Sequence, residues 1–306
     1  MMIVGNSLPV PCYTESKPAL GPTYLESLAQ SDKKRYFMQV KTETTHLGAK
    51  EYIASLAARG RYSFASGDAQ AAFGTSATAT SRALNRLAKH GEIASPARGF
   101  YVIVPPEYRS LRSLPADQFI PDLMKRQGHP YYVGILSAAQ YHGAAHHRPQ
   151  EFQVMLPQNR RPIQSGAVRV VFMARKNLAG VPVQDFNTPR GTVRVSTPEA
   201  TAIDIVGYQR HVGDLDQVAT ILSELAEKID PQKLAMVAET APVPWAQRLG
   251  YLMELVGAGE KAVPLKTYVR RHVRQSAILL PTASHKRARR DDDWKLYVNA
   301  KVAVES

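Results

Sequence analysis

The chain has a single cysteine and comparatively few acidic residues. Cys12 alone cannot form an internal disulfide or a zinc site built from several cysteines. With 39 Lys and Arg against 26 Asp and Glu, the formal net charge is +13. This excess of positive charge predicts a polyanionic partner, but it does not decide between a nucleic acid and an anionic membrane surface.

Long apolar runs are also missing. No stretch of the 306 residues approaches the roughly 20 apolar residues that a membrane-spanning helix needs. The N-terminal segment, MMIVGNSLPVPCY, has no basic residue before its apolar patch, so it does not predict a secretory signal. We therefore expect a cytoplasmic protein with no membrane partner.

Signatures of catalysis are scarce as well. The sequence contains no Gly-rich phosphate-binding loop and no Ser/His/Asp arrangement. His142 and His146 have the spacing of two metal ligands on one helix, but Gly143 interrupts that helix and no Glu follows His142. We predict no metal, no cofactor and no enzymatic activity.

What the chain does contain is a helix with a basic polar face. In residues 76–90, SATATSRALNRLAKH, helical spacing places Leu84 and Leu87 on one side and the polar groups elsewhere. Ser76 is suited to cap this helix and Gly91 to end it. The stretch has no acidic residue. Since hydroxyls and Asn reach base edges or phosphates, and Arg and Lys neutralise phosphates, we predict a DNA recognition helix.

The flanking segments predict that this helix belongs to a winged helix-turn-helix over residues 46–104. An amphipathic helix at 47–59 and a short helix at 66–73 precede it. Two strands follow, joined by a turn at 95–98 that forms the wing. The alternative is a helical packing module with a solvated basic face. The residues predicted to contact DNA are Ser76, Thr78, Thr80, Ser81, Arg82, Asn85, Arg86, Lys89 and Arg98.

The rest of the chain predicts an α+β protein with a second domain of mixed α/β structure at 116–306. Residues 1–45 are expected to be a mobile arm, with 1–37 alternatively the product of an upstream start codon, and 105–115 a linker. Within the second domain we predict several helices and strands, including strands at 268–273 and 296–302. The segment 285–293 is expected to be a loop, and its candidates for phosphate contacts are Lys286, Arg287, Arg289 and Arg290.

Several short motifs in the second domain resemble the AbiE-type antitoxins of bacterial type IV toxin–antitoxin systems, the AbiEi-like transcriptional regulators. They are Tyr131–Gly134, Ser137–Ala139, His142–Ala144, Arg148–Gln150, Phe152–Val154, Ser196–Thr201 with Asp204, and Trp294–Asn299. The resemblance runs from about Leu47 to the C-terminus. It implies a repressor that binds inverted repeats in its own promoter, and an antitoxin in a phage defence system. This antitoxin counters a nucleotidyltransferase toxin without needing a stable complex with it.

Two other functions are left open by the residues. Asp293-Trp294-Lys295 is similar to the Asp-x-Lys pair of metal-dependent nucleases, which would make the chain a nuclease targeted by a winged helix. No partner acid in a convincing strand context accompanies this pair. The chain is alternatively a winged-helix regulator that responds to a ligand, although the sequence indicates no pocket. Magnesium-dependent cleavage of DNA would favour the nuclease.

Overall fold

The structure, a computed structural model, describes residues 46–144 and 150–303. The predicted arm at 1–45 lies outside these residues. The described chain begins with three helices, α1 (Ala49–Ala58), α2 (Ser66–Phe73) and α3 (Ala77–Lys89). Three strands, β1 (Ser63–Ala65), β2 (Ile93–Ala97) and β3 (Phe100–Ile103), form an antiparallel sheet with β3 in the centre.

Local sequence explains how α2 and α3 are connected. Gly74 ends α2 in the left-handed conformation at φ +60°, which a glycine adopts without strain. The Ser76 hydroxyl then accepts a hydrogen bond from the Ala79 amide at 3.3 Å and caps α3. Buried Leu84 and Leu87 pack α3 against α1 and α2, as the helical spacing predicts.

The turn between β2 and β3 is shorter than predicted. Strand β2 continues to Ala97, so only Arg98 and Gly99 form the turn. The register shifts between Ala94 and Ala97, because Pro96 has no amide hydrogen for the ladder and a bulge forms there.

A six-stranded mixed sheet forms the centre of the remaining chain. Its strands are β4 (Tyr132–Val133), β5 (Glu151–Leu156), β6 (Ile163–Ser165), β7 (Val168–Ala174), β8 (Val183–Thr188) and β9 (Gly191–Ser196). They pair in the order β6-β7-β5-β4-β9-β8, with β5/β7 and β4/β9 parallel and the other neighbours antiparallel. Helices α4 (Ala116–Gln127) and α5 (Ile135–Tyr141) accompany the sheet.

Five helices and a second small sheet complete the fold. The helices are α6 (Pro198–Gly207), α7 (Leu215–Ala226), α8 (Pro231–Ala238), α9 (Val243–Leu255) and α10 (Val263–His272). The strands β10 (Ala277–Ile278), β11 (Arg289–Asp291) and β12 (Leu296–Val298) pair in the order β10-β12-β11. The α+β class predicted from the sequence is confirmed. None of the helices in the described ranges has both the length and the apolar character needed to cross a bilayer.

Two predicted elements near the C-terminus are wrong. Residues 268–272 belong to α10 rather than to a strand, because Leu265 and Val269, four residues apart, bury one helical face and Pro264 suits the helix start. The segment 285–293 is not entirely a loop, since it supplies β11. The aromatic and β-branched residues at 268–273 have a high local strand propensity, but the packing of the helical face overrides that propensity.

The first sheet and the six-stranded sheet share one apolar core. Ala94, Phe100 and Val102 of the first sheet pack in the same buried cluster as Phe119 of α4 and Val170 of β7. The connecting segment 105–115 is itself packed: Leu114 is fully buried, and the Leu111 carbonyl accepts a hydrogen bond from the Ala167 amide at 2.8 Å. The two parts of residues 47–303 are therefore held together by side-chain packing rather than joined by chain alone.

Arg190, in the β8–β9 turn, adds a polar tie between the same two parts. Its guanidinium lies 3.4 Å from the ring centroid of Tyr62, which precedes β1. The same group donates to Gln118 at 2.8 Å and pairs with Glu107 at 3.0 Å. Because this one guanidinium makes a cation–π contact, a hydrogen bond and an ion pair, it further restricts the position of the first sheet.

Candidate nucleic-acid interface

Helix α3 presents a row of basic side chains on an exposed surface. Arg82 and Arg86 lie one turn apart, with Lys89 near the end of the helix, and all three are exposed. Within residues 46–144 and 150–303, none of the three has a carboxylate at ion-pair distance. Their positive charge is therefore not neutralised by any described residue and is available to an anionic partner.

The nearby acids are occupied elsewhere, which explains this imbalance. Glu92 pairs with Lys50 at 3.2 Å. Glu51 accepts from the Gly48 amide at 3.0 Å, and Asp68 accepts from the Ala65 amide at 3.2 Å, at the starts of α1 and α2. Acids at helix N-termini satisfy backbone donors and the helix dipole, so they leave the basic face of α3 unopposed.

The polar residues predicted to contact DNA divide into two groups. Thr78, Ser81 and Asn85 are exposed, and their side chains have no hydrogen-bond partner in the part of the chain that the structure describes. The prediction for Thr80 is wrong, because Thr80 is buried and its hydroxyl lies 3.0 Å from that of Thr75. Ser76 is exposed, but its hydroxyl is already used as the helix cap.

Arg98 is exposed at the tip of the β2–β3 turn, as predicted. The turn is fixed in place: Gly99 has φ +69°, and its carbonyl accepts from the Ser66 amide at 3.0 Å. The position of Arg98 relative to α2 is therefore set by the backbone.

A second basic surface lies near the C-terminus. Lys286, Arg287 and Arg289 line a cleft of about 740 Å³ together with Lys301, and no acid among the described residues lines it. Arg290 does not join them, since it pairs with Asp292 at 3.6 Å and alternates with Arg289 along β11. Lys301 was not predicted, because only the pairing of β11 with β12 brings the chain end to the basic segment.

The histidine that raised the question of a metal site is structural. His142 is buried, its Nε2 lies 2.7 Å from the Ser196 carbonyl, and burial lowers its pKa below the ordinary value. His146 lies outside the described residues. Among residues 46–144 and 150–303, no group of three or more His, Cys, Asp or Glu side chains could hold a metal ion.

The two buried carboxylates of α6 are engaged inside the protein. Glu199 accepts from the Asp230 amide at 3.0 Å and so links the starts of α6 and α8. Asp204 is fully buried, accepts from the Tyr132 hydroxyl at 2.7 Å and lies 3.3 Å from Nε of Arg175. Burial raises the pKa of Asp204 to about 6, although Arg175 and the Tyr132 hydrogen bond both act to lower it.

The Asp-x-Lys pair at 293–295 is similarly occupied. The Asp293 carboxylate pairs with Lys266 at 3.0 Å and Arg270 at 3.3 Å, and the Lys266 hydrogen bond lowers its pKa. Lys295 pairs with Asp292 at 3.6 Å, and Trp294 between them is fully buried. These residues anchor the second small sheet.

Comparison with known proteins extends the description of the second domain. The model of the AbiEi antitoxin C-terminal domain matches residues 132–255. Comparison with curated proteins finds no match. Among solved structures, the chain is similar to the RV2827C protein from Mycobacterium tuberculosis, with a TM-score of 0.58 and 18% identity over 81% of this chain and 90% of that one. This similarity concerns the fold alone.

Two further solved structures are less similar to this chain. An antigenic nucleotidyltransferase-like protein from Paracoccidioides brasiliensis gives a TM-score of 0.34 at 10% identity, over 51% of this chain and 90% of that one. The antibiotic-resistance factor ANT(2'')-Ia gives 0.25 at 11% identity, over 50% of this chain and 94% of that one.

Proposed function

We propose that the chain is a DNA-binding repressor and the antitoxin of a type IV toxin–antitoxin system, because the model of the AbiEi antitoxin C-terminal domain matches residues 132–255. This match supports a toxin–antitoxin role and suggests a regulator rather than an enzyme. The finer parts of the proposal are repression of its own operon and action against a nucleotidyltransferase toxin. These parts rest on the arguments below and on the resemblance given above.

The observation that carries the DNA-binding part is the unopposed basic face of α3. We propose that residues 46–104 act as a winged helix-turn-helix in which α3 enters the major groove and the β2–β3 turn reaches the flanking backbone. In this proposal Arg82 and Arg86, which lie beside Ser81 and Asn85 on α3, read base edges. Lys89 and Arg98, which are both exposed, are proposed to contact phosphates.

The proposed target is double-stranded DNA with inverted repeats in the promoter of the chain's own operon. The nucleotidyltransferase toxin is proposed as a functional partner that the antitoxin counters without a stable complex. Co-expression should therefore protect cells from the toxin while the two proteins fail to co-purify.

The first prediction separates base reading from phosphate contact. Arg82→Ala and Arg86→Ala should each weaken operator binding by about 1–3 kcal/mol, while non-specific binding changes little. Lys89→Ala and Arg98→Ala should weaken both kinds of binding and reduce the log–log salt slope by about one each. Affinities for operator and scrambled DNA, titrated over a range of salt concentrations, give all four results.

Arg161→Ala is the matched control, because Arg161 is exposed, has no ion-pair partner among the described residues and lies outside both basic surfaces. It should bind the operator like wild type. The proposal fails if Arg82→Ala/Arg86→Ala does the same, while neutralising Lys286, Arg287 and Arg289 abolishes binding. That outcome would assign the DNA contact to the C-terminal cleft.

A further inference from the structure

A cavity of about 280 Å³ lies among helices that follow the six-stranded sheet, and it shares no lining residue with either basic surface. The end of α6, the start of α7, the middle of α9 and the segment after β10 enclose it. Most of its wall is apolar, contributed by Val206, Leu215, Val218, Leu252, Leu279 and Pro281. Its volume is close to the lower end of the range for small-molecule sites.

One charged side chain, Arg248 of α9, lines this cavity among the apolar groups. It is half-buried, and its Nε donates to the Ile278 carbonyl at 2.7 Å. Its two terminal nitrogens have no hydrogen-bond partner within residues 46–144 and 150–303. Burial lowers the pKa of Arg248 below its ordinary value.

Among the residues that the structure describes, no acidic side chain lines the cavity. Asp214 and Asp216, which flank the lining residue Leu215, both point their carboxylates at backbone amides. Asp214 caps α7 by accepting from Gln217 at 2.8 Å, and Asp216 accepts from Ala303 at 2.8 Å. Arg210, at the exposed rim, adds a second positive charge that no described residue neutralises.

A half-buried guanidinium whose terminal nitrogens bond to no described residue has donors available for an anion from outside the protein. Its planar fork matches the two oxygens of a carboxylate. The apolar wall, in turn, gains from a ligand that brings hydrocarbon into contact with it. A bare phosphate would satisfy the charge but would leave the apolar wall in contact with water.

We propose that this cavity binds a small organic carboxylate, with Arg248 holding the carboxylate and the apolar wall enclosing the hydrocarbon part. The site is separate from the proposed DNA contacts and does not depend on them. It would allow the second domain to bind a metabolite-sized anion whether or not α3 is bound to DNA.

Hexanoate, titrated into methyl-labelled protein at neutral pH and followed by NMR, tests the proposal. Hexanoate should shift the methyl signals of Val218, Leu252 and Leu279. Arg248→Gln should weaken its affinity about tenfold or more, because two charge-assisted hydrogen bonds are lost. Arg274→Gln, which changes an exposed arginine outside the cavity, should leave the affinity unchanged.

Two other ligands make the result specific. 1-Hexanol, which has the chain but no charge, should bind wild type more weakly than hexanoate does and should bind Arg248→Gln as it binds wild type. Inorganic phosphate should bind more weakly than hexanoate. If Arg248→Gln does not fold, Arg248→Lys replaces it, and we expect weaker binding than wild type because an ammonium lacks the planar fork.

Three results would overturn the proposal. The first is no change in the cavity methyl signals up to roughly 10 mM hexanoate. The second is equal affinity of hexanoate for wild type and Arg248→Gln, or for wild type and Arg248→Lys. The third is phosphate binding as tightly as hexanoate, which would assign the site to inorganic anions.

Discussion

Replacing Arg175 with methionine should lower the free energy of unfolding by about 3–5 kcal/mol at pH 8. Arg175 and Asp204 form an ion pair at 3.3 Å in which both side chains are almost completely buried. Removing the guanidinium leaves the Asp204 carboxylate with only the Tyr132 hydroxyl as a partner. The cation–π contact with Trp245, at 4.8 Å, is lost as well.

The size of this loss should depend on pH. Burial raises the pKa of Asp204 to about 6, above the unfolded-chain value of about 3.9. Between these values the folded state binds the proton more tightly, so the contribution of Asp204 to stability falls as pH rises through that window. Without Arg175 the pKa rises further, and the window extends to higher pH. The deficit of Arg175→Met should therefore be largest at pH 8 and shrink toward pH 5.

Urea unfolding at several pH values measures this effect. Arg175→Met/Asp204→Leu should recover much of the lost stability, because a buried pair replaced by apolar groups is often tolerated. Arg161→Met, at an exposed position, provides the matched control. A deficit of the same size at every pH would show that Arg175 contributes by packing and not by its charge.

Replacing Trp294 with alanine should cost about 3–5 kcal/mol. Trp294 is among the largest fully buried side chains and packs on α9 at Gly250. Its indole nitrogen has no hydrogen-bond partner in the described chain, so the ring stabilises the fold by packing and by a cation–π contact with Lys266 at 5.5 Å. Trp294→Phe should therefore keep much of the stability that Trp294→Ala loses. Thermal and urea unfolding measure both.

Gly250 offers a reciprocal test of the same contact. A Cβ at this position would lie 2.0 Å from the Trp294 ring, so Gly250→Ala should destabilise the wild type by about 1–3 kcal/mol. In the Trp294→Ala background the space is empty, and the same change should be neutral or stabilising, because alanine favours helix over glycine. Equal losses in both backgrounds would mean that Gly250 is required for another reason.

The sequence predicts the first three helices well because their signals are local. Caps, the Gly74 turn and the spacing of Leu84 and Leu87 all lie within a few residues of one another. The burial of Thr80 was not predicted, because its side chain contacts Thr75 across the turn and helical spacing alone does not reveal that contact. The exposure of the basic residues on α3 could therefore be predicted from the sequence, but the burial of Thr80 could not.

Features that depend on distant residues could not be predicted. Arg175 and Asp204 come from a strand and a helix that only the folded sheet brings together. The cavity at Arg248 is enclosed by four separate elements, so no sequence window contains its pattern. The motifs behind the family resemblance are also mainly structural. Tyr132 donates a hydrogen bond to Asp204, and Gly134 has no room for a Cβ beside Met155. These residues therefore stabilise the fold and do not indicate a chemical activity.

The core shared by Phe100, Phe119 and Val170 also has a consequence for any two-fold operator. In the proposed DNA complex, the shared core would keep α3 from rotating independently of the rest of residues 47–303, so a change of half-site spacing would have to rotate a whole protomer around the duplex. Each added base pair turns a half-site by about 35° around the DNA axis, given 10–10.5 base pairs per turn. Two protomers that touch on one face of the DNA would lie on opposite faces after about half a turn. For a protein built this way, the helical phase of the two half-sites matters as much as their sequence.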